Sequence, residues 1–198
     1  MKRIIIVGCL VIFVFLVSSA ALADLFSWGV MGGVNFATFT GADKGNVSYR
    51  TGFSAGAFVS VSPLKGLKFQ PEALISLKGA RYEFPAPLDD QKINLYYLDI
   101  PVLARWYPSL LPLNLNLIAG PYFAFKLSDK IKQGGSSVDA NAETFDFGIT
   151  LGLGVEVKRV LFDARYSFGL TDVFDGATIK NGYFSILAGY RFGKGNDK

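Results

Sequence analysis

Histidine is absent from all 198 residues, and the one cysteine, Cys9, sits close to the N-terminus. Without histidine, Ser-His and Cys-His catalysis, His-Asp pairs and the common zinc sites are excluded. Cys9 lies in a segment expected to be removed, so the mature chain carries no disulfide, thiol nucleophile or thiolate metal site. Charge is also scarce: charged residues make up 18% of the chain against 51% hydrophobic ones, oily for a soluble domain of this size. The formal net charge of +4 includes Lys2 and Arg3; setting those two aside leaves +2, and no basic stripe points to nucleic acid. No run of 18 apolar residues follows Val17, so no transmembrane helix is expected in the mature chain. No motif calls for a cofactor: Gly152-x-Gly154 has no helix after it, and Asp43, Asp172 and Asp175 lack the spacing of an EF-hand.

The first 23 residues read as a secretory signal. Lys2 and Arg3 form its positive start, Ile4 to Val17 its apolar core, and Ala21-Leu22-Ala23 an A-x-A cleavage site between Ala23 and Asp24. The apolar core, from Ile4 to Val17, is too short for a membrane-spanning helix. Ile6-Val7-Gly8-Cys9 has the letters of a lipobox, but only Ile4 to Ile6 precede it as apolar core. The expected organisation is therefore a signal peptide over 1–23, one β-domain over 24–192 and a short polar tail over 193–198.

What the mature chain has in quantity is alternation. Phe145, Phe147, Ile149, Leu151, Leu153, Val155 and Val157 occupy every second position, with Asp146, Gly148, Thr150, Gly152, Gly154 and Glu156 between them. Unbroken period two is the signature of a strand with one apolar and one polar face. Phe162, Ala164, Tyr166 and Phe168 repeat it, as do Phe184, Ile186, Ala188, Tyr190 and Phe192. Eight strands are expected, near Phe26–Phe39, Thr51–Val61, Leu67–Glu83, Leu95–Tyr107, Leu113–Leu127, Phe145–Lys158, Val160–Leu170 and Gly182–Phe192. Most reach the ~9–11 residues that a tilted membrane strand needs. Their connections alternate in length. Ser62–Gly66, Pro108–Pro112 and Lys158-Arg159 are short; Thr40–Arg50, Phe84–Asn94, Ser128–Thr144 and Thr171–Asn181 are long and polar. That asymmetry belongs to all-β, eight-stranded antiparallel up-and-down transmembrane barrels, with short periplasmic turns and long outer loops. Pro101, lacking an amide proton for the ladder, is expected to mark a local break or bulge.

A soluble lipocalin-like cup is the competing barrel, and the polar face separates the two. A soluble outer surface carries Lys and Glu freely, whereas here Gly, Ser, Thr and Asn dominate it, with a few charges of both signs. Such a mixture fits the inside of a narrow barrel whose apolar face meets lipid. Trp28, Tyr82, Tyr96, Tyr97, Trp106, Tyr107, Tyr122, Tyr166, Phe168 and Phe192 lie near strand ends and are expected to form interfacial girdles.

Several segments carry a family resemblance. These are Gly29-Val30-Met31-Gly32-Gly33-Val34-Asn35-Phe36, Tyr97-Leu98-Asp99-Ile100-Pro101-Val102-Leu103, Gly120-Pro121-Tyr122, Gly152-Leu153-Gly154-Val155-Glu156, Asp163-Ala164-Arg165-Tyr166-Ser167-Phe168-Gly169-Leu170-Thr171-Asp172 and Gly189-Tyr190-Arg191-Phe192. In this order they resemble the porin-like outer membrane protein beta-barrel domain family, small barrels of the OmpA/OmpX type. The resemblance implies a fold and a location in the outer membrane of Gram-negative bacteria, with no catalytic residues to carry over. The closing Phe192 is similar to the terminal aromatic by which such barrels are recognised for insertion, although the tail 193–198 follows it.

On the face expected to point inward lie Lys68, Glu72, Lys78, Asp99, Arg105, Asp146, Glu156, Asp163, Arg165 and Arg191. An interior this narrow is expected to hold them as an ion-pair network; the alternative is a charged path for a small solute. The expected function is non-enzymatic, with a structural or surface-interaction role through four long outer loops, and a narrow channel or transporter for small polar solutes as the alternative. The expected partners are outer-membrane lipid, the barrel-insertion machinery during biogenesis and a surface partner met through the loops. No nucleic acid is expected, and the barrel is expected to be a monomer. The intact mass of protein extracted from membranes should correspond to a chain beginning at Asp24; retention of Cys9, with or without lipid, would refute cleavage at Ala23.

Overall fold

The computed structural model describes residues 26–43, 47–83, 90–109, 114–133 and 136–192. The expected signal segment, its cleavage point at Ala23 and Asp24, and the tail 193–198 fall outside them. Among the described residues there are nine strands: β1 (Phe26–Thr40), β2 (Ser48–Leu64), β3 (Leu67–Tyr82), β4 (Gln91–Trp106), β5 (Leu115–Gln133), β6 (Ser136–Val138), β7 (Phe145–Val157), β8 (Val160–Gly169) and β9 (Lys180–Phe192). All pairings are antiparallel. Each barrel strand pairs with its neighbours in the chain, β5 passes directly to β7, and β1 closes on β9 from Trp28↔Phe192 to Thr40↔Lys180. The eight long strands therefore form a ring with no free edge, and β6 is an appendage on β5.

The pleat sorts the side chains. Along β7, Asp146, Thr150 and Glu156 are buried while Phe145, Ile149, Leu151, Leu153 and Val157 are exposed. The same inversion runs around the ring: Asn35, Ser54, Ser76, Asn116, Ser167 and Ser185 are buried, whereas Trp28, Val34, Phe69, Ile75, Trp106 and Phe162 are exposed. Polar residues inside and large apolar ones outside is the reverse of a water-soluble barrel, and it is the arrangement that lipid requires.

Two of the short connections show why their residues are there. Leu64↔Leu67 leaves only Lys65 and Gly66 in the turn, and Gly66 takes a φ of +79° that a side chain would resist. Val157↔Val160 leaves Lys158 and Arg159, with Lys158 in the left-handed region. The strands run on into the expected long connections, β2 from Ser48 and β4 from Gln91, and the largest departure is after β5. Ser128–Thr144 is not all loop: β5 runs on to Gln133 and turns back through β6, so this connection begins as a hairpin standing above the ring. Pro101 marks a local gap in the β3–β4 ladder, between Pro71↔Val102 and Leu74↔Asp99, and no bulge. The register is the same on both sides of it, and the one irregularity between β4 and β5 falls at Tyr96/Tyr97. A proline can be carried in a ladder where its missing donor is a single local loss rather than a register change.

Inward glycines make room for inward rings. A Cβ on Gly29 would lie 2.4 Å from the Phe58 ring and 2.3 Å from the Tyr190 carbonyl oxygen. Phe58 thereby reaches Met31, Leu74, Leu161 and Leu187, an apolar cluster inside the barrel. Gly29→Ala should cost about 1–3 kcal/mol through overpacking. In urea unfolding from lipid vesicles, part of that cost should return in the Gly29→Ala/Phe58→Leu double variant; equal stability of Gly29→Ala and the parent would show that the ring does not press on Gly29.

Candidate functional site: the filled interior and the closed mouth

The interior is built from three polar groups stacked from the short-turn end toward the long connections. In the lowest, Glu156 sits just before the Lys158–Arg159 turn and collects three donors. Its Oε2 lies 3.0 Å from Lys68 Nζ and accepts from Tyr107 OH at 2.8 Å, and its Oε1 pairs with Arg191 Nη2 at 2.5 Å. Lys68 Nζ also lies 4.7 Å from the centre of the Tyr107 ring.

The middle group is a chain of two arginines and two carboxylates. Arg105 holds Asp163 in a two-pronged grip, Nη1 donating to Oδ1 at 3.0 Å and Nη2 to Oδ2. Arg165 donates from Nη2 to the same Asp163 Oδ2 at 2.6 Å and grips Glu72 through Nη1 at 2.7 Å and Nη2 at 2.8 Å. Gln70 and Asn116 complete the shell, at 2.8 Å from Glu72 and 3.2 Å from Arg105. Two-pronged arginine–carboxylate pairs are the strongest ionic hydrogen bonds available, which buried charges need.

The upper group centres on Lys78, which is fully buried. Its Nζ lies 2.8 Å from Asp99 Oδ1 and 3.8 Å from Asp146 Oδ2, and faces the rings of Tyr97, Tyr122 and Tyr183 at 4.9, 4.7 and 4.3 Å. Asp146 in turn accepts from Tyr122 OH, Asn181 Nδ2 and Thr171 Oγ1. An ammonium withdrawn from water is held here by two carboxylates and three ring faces. Between these groups, hydroxyl and amide contacts span the strands: Ser185 to Asn35, Asn35 to Ser54, Ser54 to Ser76, and Thr150 to Ser167.

All ten residues singled out from the sequence thus line the interior, in three clusters rather than one continuous path. Lys68, Lys78, Arg105, Arg165 and Arg191 balance Glu72, Asp99, Asp146, Glu156 and Asp163, so these ten carry no net charge. Four tyrosines expected in the girdle face inward instead: Tyr97, Tyr107 and Tyr122 meet the charged clusters and Tyr82 packs against the mouth cluster, unlike the exposed Trp28, Trp106 and Phe168. The signal was available for Tyr97, which shares parity with Asp99 on β4. Trp28 does stand at a strand end on the outer wall, its ring 4.5 Å from that of Phe192.

Above Lys78 the interior turns apolar. Phe39, Ala80, Ile93, Leu95 and Tyr97 meet Ala140 and Ala142 from the connection after β6, and Val173 and Ile179 from the connection before β9. Both connections fold into the mouth. Glu143 N donates to Val173 O at 2.7 Å, Val173 N to Ile179 O at 2.7 Å, and Phe174 stands edge-on to Phe39 at 5.8 Å. Asp43 Oδ2 accepts from Thr178 N at 2.8 Å, tying in the connection after β1. Nothing in the sequence pattern announced this cap, because its residues are single apolar letters within polar segments.

The family model described as "Outer membrane protein beta-barrel domain" matches residues 19–175. The chain belongs to this family. It is an outer-membrane β-barrel protein, and the barrel sits in the outer membrane of the cell. Among solved structures, Neisserial surface protein A (NspA) matches with a TM-score of 0.56 at 16% identity, covering 83% of this chain and 97% of that one. OprG of Pseudomonas aeruginosa matches at 0.49 and 13% identity over 86% and 97%. Ail, the attachment invasion locus protein of Yersinia pestis, matches at 0.48 and 16% identity over 84% and 98%. At such identities the likeness to NspA speaks for the fold alone. No curated protein matches the sequence.

Arg165 bonds to both acids of the middle group, so its removal strands Asp163 and Glu72 in a dry interior. Arg165→Ala should lose about 3–5 kcal/mol. Reversible urea unfolding in vesicles reads this, and Arg165→Ala/Glu72→Gln should recover part of it. An alanine variant more stable than the parent would place that face in lipid and overturn the assignment of inside and outside.

Proposed function

We propose that this outer-membrane barrel conducts no solute and acts through its long connections, which face the outside of the cell, while the barrel serves as their anchor. The observation that carries this reading is the filled interior. Phe58, Arg105, Lys78 and Tyr122 are each at most 2% exposed, and the mouth above them is closed by apolar residues of two connections. An eight-stranded ring is just wide enough for its side chains to fill. A channel for small polar solutes, the alternative reading, would have to part the Arg105–Asp163–Arg165–Glu72 chain and lift the apolar cap together. Enzymatic chemistry has little to work with: the acids and bases inside are engaged with one another, and the chain has no histidine.

Orientation follows the general asymmetry of such barrels, with short turns in the periplasm and long connections outside. The surface role then rests on what those connections expose. Asp172, Asp175 and Glu143 stand near one part of the mouth, and Lys130 and Asp139 on the β5–β6 hairpin at another. Purified protein in planar bilayers should show no stepwise conductance. Discrete, voltage-stable conductance steps that vanish on Lys78→Met would sink the non-conducting reading and favour the channel.

A further inference from the structure

Above the lipid-facing band on one side of the barrel, basic residues line up across three strands. Arg81 on β3 is directly opposite Lys92 on β4, and Lys92 is directly opposite Lys132 on β5. Their neighbours decide which way they face. Ala80, Ile93 and Ile131 pack into the mouth cluster, so by the period of the pleat Arg81, Lys92 and Lys132 point outward. One step nearer the membrane, Asn94 is opposite Lys130, and Arg50 Nε donates to Asn94 Oδ1 at 2.6 Å. Immediately below, the outer wall becomes apolar again at Leu98, Phe125, Leu127 and Ile75. The row therefore sits at the level where hydrocarbon gives way to headgroups.

Acids answer only part of this charge. Arg81 is paired with Asp90 through Nε at 3.1 Å and through Nη2, and Lys130 with Asp139 at 2.5 Å. Lys92 and Lys132 are exposed, and among the described residues neither makes an ion pair. Like charges directly opposite across a ladder have Cβ atoms only ~4.5–5.5 Å apart and destabilise it. Two such lysines are tolerable where an anion lies between them.

We propose that the row Arg81–Lys92–Lys132, with Lys130 and Arg50 beside it, binds the phosphate groups of the phosphorylated glycolipid (lipid A) of the outer leaflet. The occupant is argued from charge complementarity and from continuity with the lipid-facing wall: a phosphate at headgroup depth reaches these lysines while its acyl chains cover Leu98, Leu127 and Ile75 below. A juxtamembrane basic cluster attracts anionic lipid in this way. The inference rests on placement in the outer membrane with the long connections outside, and not on any surface-interaction role of those connections.

The test compares the parent with Lys92→Gln/Lys132→Gln and Lys92→Arg/Lys132→Arg, each refolded in phosphatidylcholine vesicles and then extracted into neutral detergent for titration with lipid A. The parent and the arginine pair should bind lipid A alike, and the glutamine pair about thirty-fold more weakly, about five-fold for each lysine. In phosphatidylcholine alone the glutamine pair should unfold at the same urea concentration as the parent or higher, since a repulsion has been removed, which also shows that the barrel is intact. Equal binding of lipid A by parent and glutamine pair overturns the proposal, as does equal binding of dephosphorylated lipid A. Lysine-dependent binding of heparin without binding of lipid A overturns it too and assigns the row to a soluble polyanion. Protection of the long connections, with cleavage at the short-turn end, by protease added to intact cells would instead remove the orientation on which it rests.

Discussion

Hydrocarbon offers no hydrogen bonds, so every backbone N–H and C=O at membrane depth must find its partner within the protein. In this chain that constraint is met by one contact, the closure of β1 on β9 from Trp28↔Phe192 to Thr40↔Lys180. Without it the sheet would present two edges of unpaired groups to lipid, each costing several kcal/mol. Closure also fixes the rest. Once the ring is shut, period two leaves each side chain only lipid or a narrow interior, and the sequence obeys this by placing Leu151 and Leu153 on one side of β7 and Thr150 and Glu156 on the other.

The interior then sets its own problem. A space that water scarcely enters cannot hold isolated charges, yet the strands supply ten. The solution is stoichiometric pairing in compact groups, with Arg105 and Arg165 in the central one, Lys78 in the upper one and Lys68 beside Arg191 in the lowest. Arginine's planar fork serves two carboxylates at once, as Arg165 does for Glu72 and Asp163. Lys78, a point charge that cannot fork, is surrounded instead by two acids and three tyrosine faces. Such groups hold strands together that are far apart in sequence: Glu72 and Arg165 belong to β3 and β8, on opposite arcs of the ring.

The strands and their facing were legible because two strong signals coincide in them. Unbroken alternation from Phe145 to Val157 states a strand, and the identity of its polar partners states which side is dry. Legibility failed where a residue's chemistry pointed both ways. Tyrosine suits an interface and a buried cluster alike, so Tyr97, Tyr107 and Tyr122 read as girdle from composition and proved to be interior from geometry. It failed again in the connection from 128 to 144, where Lys130, Lys132 and Asp129 suggest a solvated loop although the backbone continues as β5 and turns into β6. Strand length there is set by pairing with β4, a long-range contact that no local pattern records. The interior apolar cluster around Phe58 was invisible for a similar reason, since its ring is admitted by Gly29 on another strand.

The change from charged to apolar along the barrel axis bears on how the long connections are held. A loop that rests on water-filled polar space must order itself, at a cost of roughly 1–2 kcal/mol per residue in backbone entropy. Here the barrel offers an apolar seat instead, and Val173 and Ile179 occupy it, at 1% and 9% exposure. The chain between them forms a tight turn, with Phe174 bridging to Ala177 and Gly176 at a φ of +74° with open space around it. Anchoring and presentation are thereby divided among different residues: Val173 and Ile179 hold the turn down, while Asp175 and Gly176 at its tip are exposed and bear little load. The same division holds in the connection after β6, where Ala140 and Ala142 are buried and Asp139, Asn141 and Glu143 are exposed. Substitution at the tips leaves the seat undisturbed, whereas a charge at Val173 would have to enter the space occupied by Phe39 and the tyrosines above Lys78. The connections can vary in sequence at their tips while the fold is kept, because the residues that face solvent and those that hold the mouth shut are not the same ones.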